Sequence, residues 1–224
     1  MEHLDTALST ERRYMGLAQL AQHLPAPSLP ISDEDLEQYL TQLYQLGRLR
    51  HTPNISPENV TFLQETLQQH RPQRILEIGC ANGYSTLRLW QIARAWQAQI
   101  VTMDFSRPAF DEAQYHFKTL GADTDIQAQF GNALELLPHI QTATPTGFDF
   151  ILKKKKKSLT LALYQAAKTL AAPNALIAID DVVKFKHKMH SFYEYLDLHT
   201  IAYQIQALPD DDDGVMLIKN EHTF

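Results

Sequence analysis

From Arg74 onward, short apolar runs alternate with longer stretches whose apolar residues recur at helical spacing. Ile75-Leu76-Glu77-Ile78 reads as a compact strand stopping at Gly79. Tyr84 to Trp96 then sets Leu87, Trp90, Ile92, Ala93 and Trp96 on one helical face. Ile100 to Met103 predicts a second strand. The next helix takes Ser106 as cap, Pro108 in its first turn and Gly121 as its stop. Ile126, Ala128 and Phe130 alternate as a third strand should, and Asn132 to Ile140 predicts a short helix closed near Pro138. Phe148 to Leu152 is strand four. Ser158 caps a helix to about Ala171, and Pro173-Asn174 turns into strand five, Ala175 to Ile179. A helix over about Lys186 to Leu196 precedes two last strands, Thr200 to Ala207 and Val215 to Lys219. The acidic link Asp210-Asp211-Asp212-Asp213-Gly214 makes them an antiparallel hairpin.

The first 73 residues carry no strand pattern. Ser32 with Asp35 resembles a capping box before Leu36, Tyr39, Leu40 and Leu43, and Gly47 ends that run. Ser56-Pro57-Glu58 starts a helix to about His70. The expectation is a helical N-terminal extension, residues 1–73, followed by an α/β domain, residues 74–224. Its seven-stranded sheet is mainly parallel, with helices on both faces and a terminal antiparallel hairpin.

Composition narrows the function. The chain has 20 Lys+Arg against 26 Asp+Glu, a formal charge of -6, so it lacks the basic surface of a protein that coats nucleic acid. The single cysteine, Cys80, forbids an internal disulfide. No apolar run approaches the roughly 18–20 residues that span a bilayer. Met1-Glu2-His3-Leu4-Asp5 lacks the basic and apolar regions of a secretory signal. A cytoplasmic location without membrane contact is expected.

Ligands of open α/β sheets bind beyond the carboxyl ends of the strands. The turn after the first strand, Gly79-Cys80-Ala81-Asn82-Gly83, departs from the G-x-G-x-x-G dinucleotide fingerprint and follows an acid, Glu77. A pyrophosphate would be repelled by that acid, whereas an ammonium or sulfonium ligand would be drawn to it. Asp104 ends the second strand about 21 residues beyond Gly83, where a carboxylate accepts both hydroxyls of a ribose.

Ile75-Leu76-Glu77-Ile78-Gly79 through Gly83-Tyr84-Ser85-Thr86-Leu87 resembles motif I of class I S-adenosylmethionine-dependent methyltransferases. Within these it is similar to the O-methyltransferases that include the catechol and caffeoyl-CoA enzymes. Gly131 to Pro138, Phe148-Asp149-Phe150-Ile151 and Ile179 to Val183 extend the match. The resemblance implies a Rossmann-like fold, S-adenosylmethionine as cofactor and methyl transfer to a hydroxyl of a small molecule, catechol-like or CoA-linked. It places Glu77 and Gly79 at the methionine end of the cofactor, Ser85 on its carboxylate, Asp104 on the ribose, and Gly131 and Ala133 beside the adenine. Cys80, Ala81, Gly83, Tyr84, Phe105 and Asn132 complete the cofactor-binding set, with Cys80 a packing residue in its turn. A nucleotide-binding oxidoreductase is the alternative reading of the fold.

The pattern breaks at strand four. Metal-dependent members of the family end that strand in an aspartate and place a lysine three positions on. Lys157 matches the lysine, as orienter or general base of the acceptor hydroxyl, but Lys154 replaces the aspartate. Asp180 and Asp181 keep the remaining metal-ligand positions, and Asp180 with Lys157 forms the catalytic pair. Hard cations want oxygen donors, so binding of Mg²⁺ is expected to be weak or absent.

Three readings of Lys153–Lys157 stand side by side. It is a solvated basic loop, or a rim with Lys184, Lys186 and Lys188 that draws an anionic acceptor, or a run introduced by substitution. Two alternative functions follow, a tRNA-nucleoside methyltransferase or a catalytically impaired cofactor-binding module. His187 and His190 read as exposed helix surface, and Phe185, Met189, Phe192 and Leu196 as that helix's packing face. The helical extension covers the acceptor site or makes a contact within a homodimer.

Overall fold

The computed structural model describes residue 14 and residues 16–143, 146–154, 156–208 and 211–220. Three helices come first: α1 (Leu17–His23), α2 (Asp33–Leu49) and α3 (Pro57–His70). Strand and helix then alternate through β1 (Arg74–Ile78), α4 (Tyr84–Ala93), β2 (Gln99–Asp104), α5 (Arg107–Thr119), β3 (Ile126–Phe130) and α6 (Ala133–Ala143). The chain continues through β4 (Phe148–Lys153), α7 (Thr160–Lys168), β5 (Ala171–Ile179), α8 (His190–Leu198), β6 (Tyr203–Leu208) and β7 (Asp211–Lys219). The sheet order is β3-β2-β1-β4-β5-β7-β6, parallel except for the pairings of β7 with β5 and β6. Strand order reverses between β1 and β4, which pair directly, so the crevice that such sheets use for ligands opens beyond Ile78 and Lys153.

Local chemistry sets the helix starts. Ser32 Oγ accepts the Asp35 amide at 3.1 Å, and Ser56 Oγ accepts the Asn59 amide at 3.2 Å ahead of Pro57. Leu36, Leu40 and Leu43 of α2 and Leu63 and Leu67 of α3 join Ile75, Leu87, Ile100 and Phe150 in one buried cluster. The extension and one face of the sheet therefore share a core, each buried Leu or Ile contributing about 1.5–3 kcal/mol. Arg50, just past α2, makes a two-pronged ion pair with buried Glu112 of α5, at 2.6 and 2.9 Å. Tyr39 Oη and His116 Nδ1, 2.7 Å apart, lie beside it. On the other face Leu76, Ile78 and Ile151 pack with Leu163 and Tyr164 of α7 and Phe192 of α8.

Several boundaries differ from the sequence expectation. Gly47 does not end α2. It sits inside the helix, close against Asn54, whose Nδ2 would lie 2.4 Å from a Cβ there. Pro138 does not close α6, which runs on to Ala143; buried Leu137 and Ile140 hold it against the sheet despite the missing amide hydrogen. Ser158 is no cap. It lies in a 3-10 turn, Lys157–Leu159, that precedes α7. Ser106 makes no side-chain cap bond; its backbone amide goes to Asp104 instead. Pro173-Asn174 falls inside β5, which starts at Ala171 and carries an irregular register there. Asp211 to Gly214 belong to β7 rather than to the turn. Met1–Asp5, Lys155 and Asp210 lie outside the described residues.

Candidate functional site

The turn after β1 is hooked onto β2: the amides of Gly79 and Cys80 donate to Met103 O at 2.9 and 3.1 Å. Ala81 follows at φ 54, a left-handed conformation costing a residue with a Cβ roughly 1–2 kcal/mol. Its amide is held by Asp104 Oδ2 at 2.9 Å, and Asp104 Oδ1 takes the Ser106 amide at 2.9 Å. Two backbone donors thus fix the Asp104 carboxylate at the end of β2, where it is 2% exposed. Gly83 opens α4 at φ +86, and a Cβ on it would meet Phe117 Cε1 at 2.8 Å, so only glycine brings α4 this close to α5.

One cleft gathers Gly79, Asp104, Phe105, Gly131, Asn132 and Ala133 from the ends of β1, β2 and β3. Its walls are apolar, from Ile78, Met103, Leu159 and Leu163, with Lys154 and Lys156 at the side of β4. Lys156 Nζ lies 3.9 Å from the centroid of the Phe105 ring, joining the two sides of the mouth.

The other residues singled out in the turn lie behind this wall. Glu77 is fully buried; it accepts from the hydroxyls of Ser85, Thr86 and Thr102, the last at 2.8 Å, and Lys154 Nζ stands 3.7 Å from its Oε1. Ser85 Oγ also accepts from Lys154 Nζ. Cys80 is buried in the core. The buried Tyr84 ring packs on Tyr44, and its hydroxyl takes Arg88 Nε at 3.3 Å.

A second hollow, lined by Pro53, Asn54, Lys154, Asp180, Asp181, Lys184 and Phe185, adjoins the cleft through Lys154. Lys157 Nζ donates to Asp180 O at 2.9 Å and pairs with the Asp181 carboxylate. Asn59 Nδ2 donates to Asp180 Oδ1 at 3.4 Å. Burial, then the charge of Asp181, pushes the Asp180 carboxyl up to about 6. Lys153 is also buried, its Nζ donating to Thr160 Oγ1 at 2.6 Å; burial, then the Lys157 charge, brings it down to about 7.

The solvated-loop reading of the lysine run therefore fails at its start: Lys153 is 0% and Lys154 3% exposed, and of the described lysines in the run only Lys156 is exposed. Lys184, Lys186 and Lys188 are exposed, as are His187 and His190, while Met189, Phe192 and Leu196 pack inward. Sequence reasoning missed Thr102, Asn59 and the inward course of Lys153. Thr102 was findable, since it lies opposite Glu77 in the β1–β2 register.

The donor set beside Asp180 does not fit a divalent cation. Lys154 stands at its side, Lys157 already takes Asp181, and the described residues contain no cluster of three or more His, Cys, Asp or Glu able to hold a metal.

Known proteins align with this arrangement. A catechol O-methyltransferase of Niastella koreensis is 29% identical over 133 residues, 58% of this chain and 59% of that protein, so the chain spans under two-thirds of this curated relative. The O-methyltransferase from Bacillus cereus, solved with SAH, superposes with TM-score 0.69 at 22% identity over 94% of this chain and 99% of its own. TomG from Streptomyces achromogenes, solved with SAM, gives 0.70 at 19% identity over 92% and 99%. These two show the fold. The O-methyltransferase family model matches residues 31–191, from the Ser32 cap through Asp104 and Asp180 to the start of α8, and the chain belongs to that family.

Proposed function

We propose that this chain transfers the methyl group of S-adenosylmethionine to an oxygen of a small hydroxylated acceptor. The observation that carries the reading is Asp104, presented to an apolar cleft at the strand-order reversal with both carboxylate oxygens oriented by backbone amides. That donor set suits a nucleoside: Asp104 accepts the two ribose hydroxyls, while Met103, Phe105, Leu159 and Leu163 offer apolar surface to a purine beside Gly131, Asn132 and Ala133. Gly79 stands nearest the methionine end, with Glu77 and Ser85 behind it. When bound, the cofactor supplies an electrophilic methyl group on a sulfonium.

Lys157, held by Asp180 O and Asp181, is a hydrogen-bond donor that orients the acceptor oxygen toward the cleft. Asp180, lifted to about 6, is mostly ionised at neutral pH and is placed to receive the acceptor's proton. Pro53 and Asn54 of the helical extension wall the same hollow, and their part is to shape it and exclude water. No step is routed through a metal.

No helix among the described residues is long and apolar enough to cross a membrane. We place the enzyme in the cytoplasm as a homodimer, a reading supported by the lone buried Cys80 and by the half-exposed Tyr203 and Ile205 on edge strand β6.

The test is a methyl-transfer assay with catechols and CoA-linked hydroxycinnamates, run with Mg²⁺ and with EDTA. Product under both conditions is expected. Binding of S-adenosylhomocysteine without product from any acceptor would favour the impaired module, and product abolished by EDTA would contradict the reading of the donor set.

A further inference from the structure

Lys154 lies on the wall shared by the two hollows, touching Gly79 and Asp104's cleft on one side and Asp180 and Asp181's on the other. Its ammonium crosses from the end of β4 to β1 and α4, donating to Ser85 and standing 3.7 Å from Glu77. Among the described ion pairs no other cation reaches Glu77. The remaining contacts of that carboxylate are neutral hydroxyls, from Ser85, Thr86 and Thr102. A buried carboxylate needs a positive partner, and here the chain provides one from its own Lys154 side chain.

The ligand of the proposed function carries an ammonium at its amino-acid end. Two ammonium groups at one buried carboxylate oppose each other, because like charges at about 4 Å repel strongly in a site shielded from water. Two further carboxylates, Asp180 and Asp181, lie on the other side of the same wall. The Lys154 charge already favours the ionised form of Asp180.

We propose that Lys154 is a tethered competitor for the cofactor's ammonium. The amino-acid tail takes Glu77 and Ser85 only by displacing Lys154 toward Asp180 and Asp181. Loading of the cleft then delivers a positive charge to the acceptor hollow, where an anionic or ionising acceptor oxygen would meet it. Lys154 is thus a determinant of affinity and of binding order, in that acceptor-side charge follows cofactor occupancy. This rests on the nucleoside reading of the cleft, and its test separates the two.

The probes are S-adenosylhomocysteine and 5′-methylthioadenosine, which shares the nucleoside and thioether but lacks the amino-acid tail. Calorimetry on the full chain compares wild type with Lys154→Met and Lys154→Gln. In wild type the tail has to displace Lys154, so the two ligands bind within about threefold of each other. In either variant S-adenosylhomocysteine tightens by about tenfold, the equivalent of about 1.4 kcal/mol, while methylthioadenosine stays where it was. Should a variant fail to fold, the wild-type comparison decides alone: a tail worth more than about thirtyfold there overturns the proposal. A selective loss of S-adenosylhomocysteine in the variants also overturns it, since Lys154 would then be holding the tail's carboxylate. Binding of neither ligand to any of the proteins defeats the nucleoside reading itself, and Lys154's role with it.

Discussion

At the β2 side of the cleft the chain presents one carboxylate, Asp104, pinned by the amides of Ala81 and Ser106, whereas at the β4–β5 side it crowds Lys153, Lys154 and Lys157 against Asp180 and Asp181. The first side is made of backbone. Its amide donors do not titrate, so they hold the Asp104 carboxylate in one orientation. The second side is made of side chains whose charges depend on one another. Burial drives Lys153 down to about 7 and Asp180 up to about 6, so both change protonation near neutrality. A backbone-ordered surface and a surface of coupled side-chain charges thus adjoin at Lys154.

The contrast can be broken in several ways. The largest effect is expected for Lys157→Met, which removes the donor proposed to orient the acceptor: kcat/KM should fall by about 10²–10³ while the Kd of S-adenosylhomocysteine stays put. Loss of nucleoside affinity instead would mean that the two sides are not separable. Asp104→Asn should do the converse, raising that Kd by about 100-fold through loss of charge-assisted bonds to two hydroxyls. Calorimetry reads this, and an unchanged Kd would remove Asp104 from the site.

Lys153→Met probes the ionisable side through stability. With its folded value near 7 against 10.5 when free, Lys153 binds a proton in the unfolded chain that the folded chain does not hold. Stability therefore rises with pH between about 7 and 10.5. Methionine abolishes that slope and should raise Tm at pH 7 by about 4–8 °C; Thr160 keeps a partner in Lys157 O at 2.8 Å. The smallest effect is that of Asp180→Asn. Asp180 holds its proton to about 6 when folded but to 3.8 when free, so stability falls as pH rises between those values. Asparagine should flatten this interval and raise Tm at pH 7 by about 2–4 °C. A pH slope left intact in either variant would show that the groups are not perturbed as described.

Legibility in the sequence divides along the same line. The glycine turn, the acid at the end of β2 and the succession of strands along the chain were readable because each is a local demand of the sequence: Gly83 must adopt φ +86 against Phe117, and Asp104 must follow an apolar strand. Lys153 and Lys154 were not. A run of lysines suggests solvent, yet β4 is flanked by β1 and β5, and Lys153 pairs in register with both Ile78 and Ile179. Position in a central strand overrides polarity, and nothing local announces it. Helix ends failed for the same reason: Gly47 lies within α2 close against Asn54, and Pro138 is carried by the packing of its neighbours.

The most direct test of the central claim is a crystal structure of the chain with S-adenosylhomocysteine. The account predicts the adenosine between Phe105 and the Gly131–Ala133 turn, with both ribose hydroxyls at about 2.7 Å from the Asp104 carboxylate. A nucleoside bound elsewhere, or a cleft left vacant at saturating ligand, would contradict it.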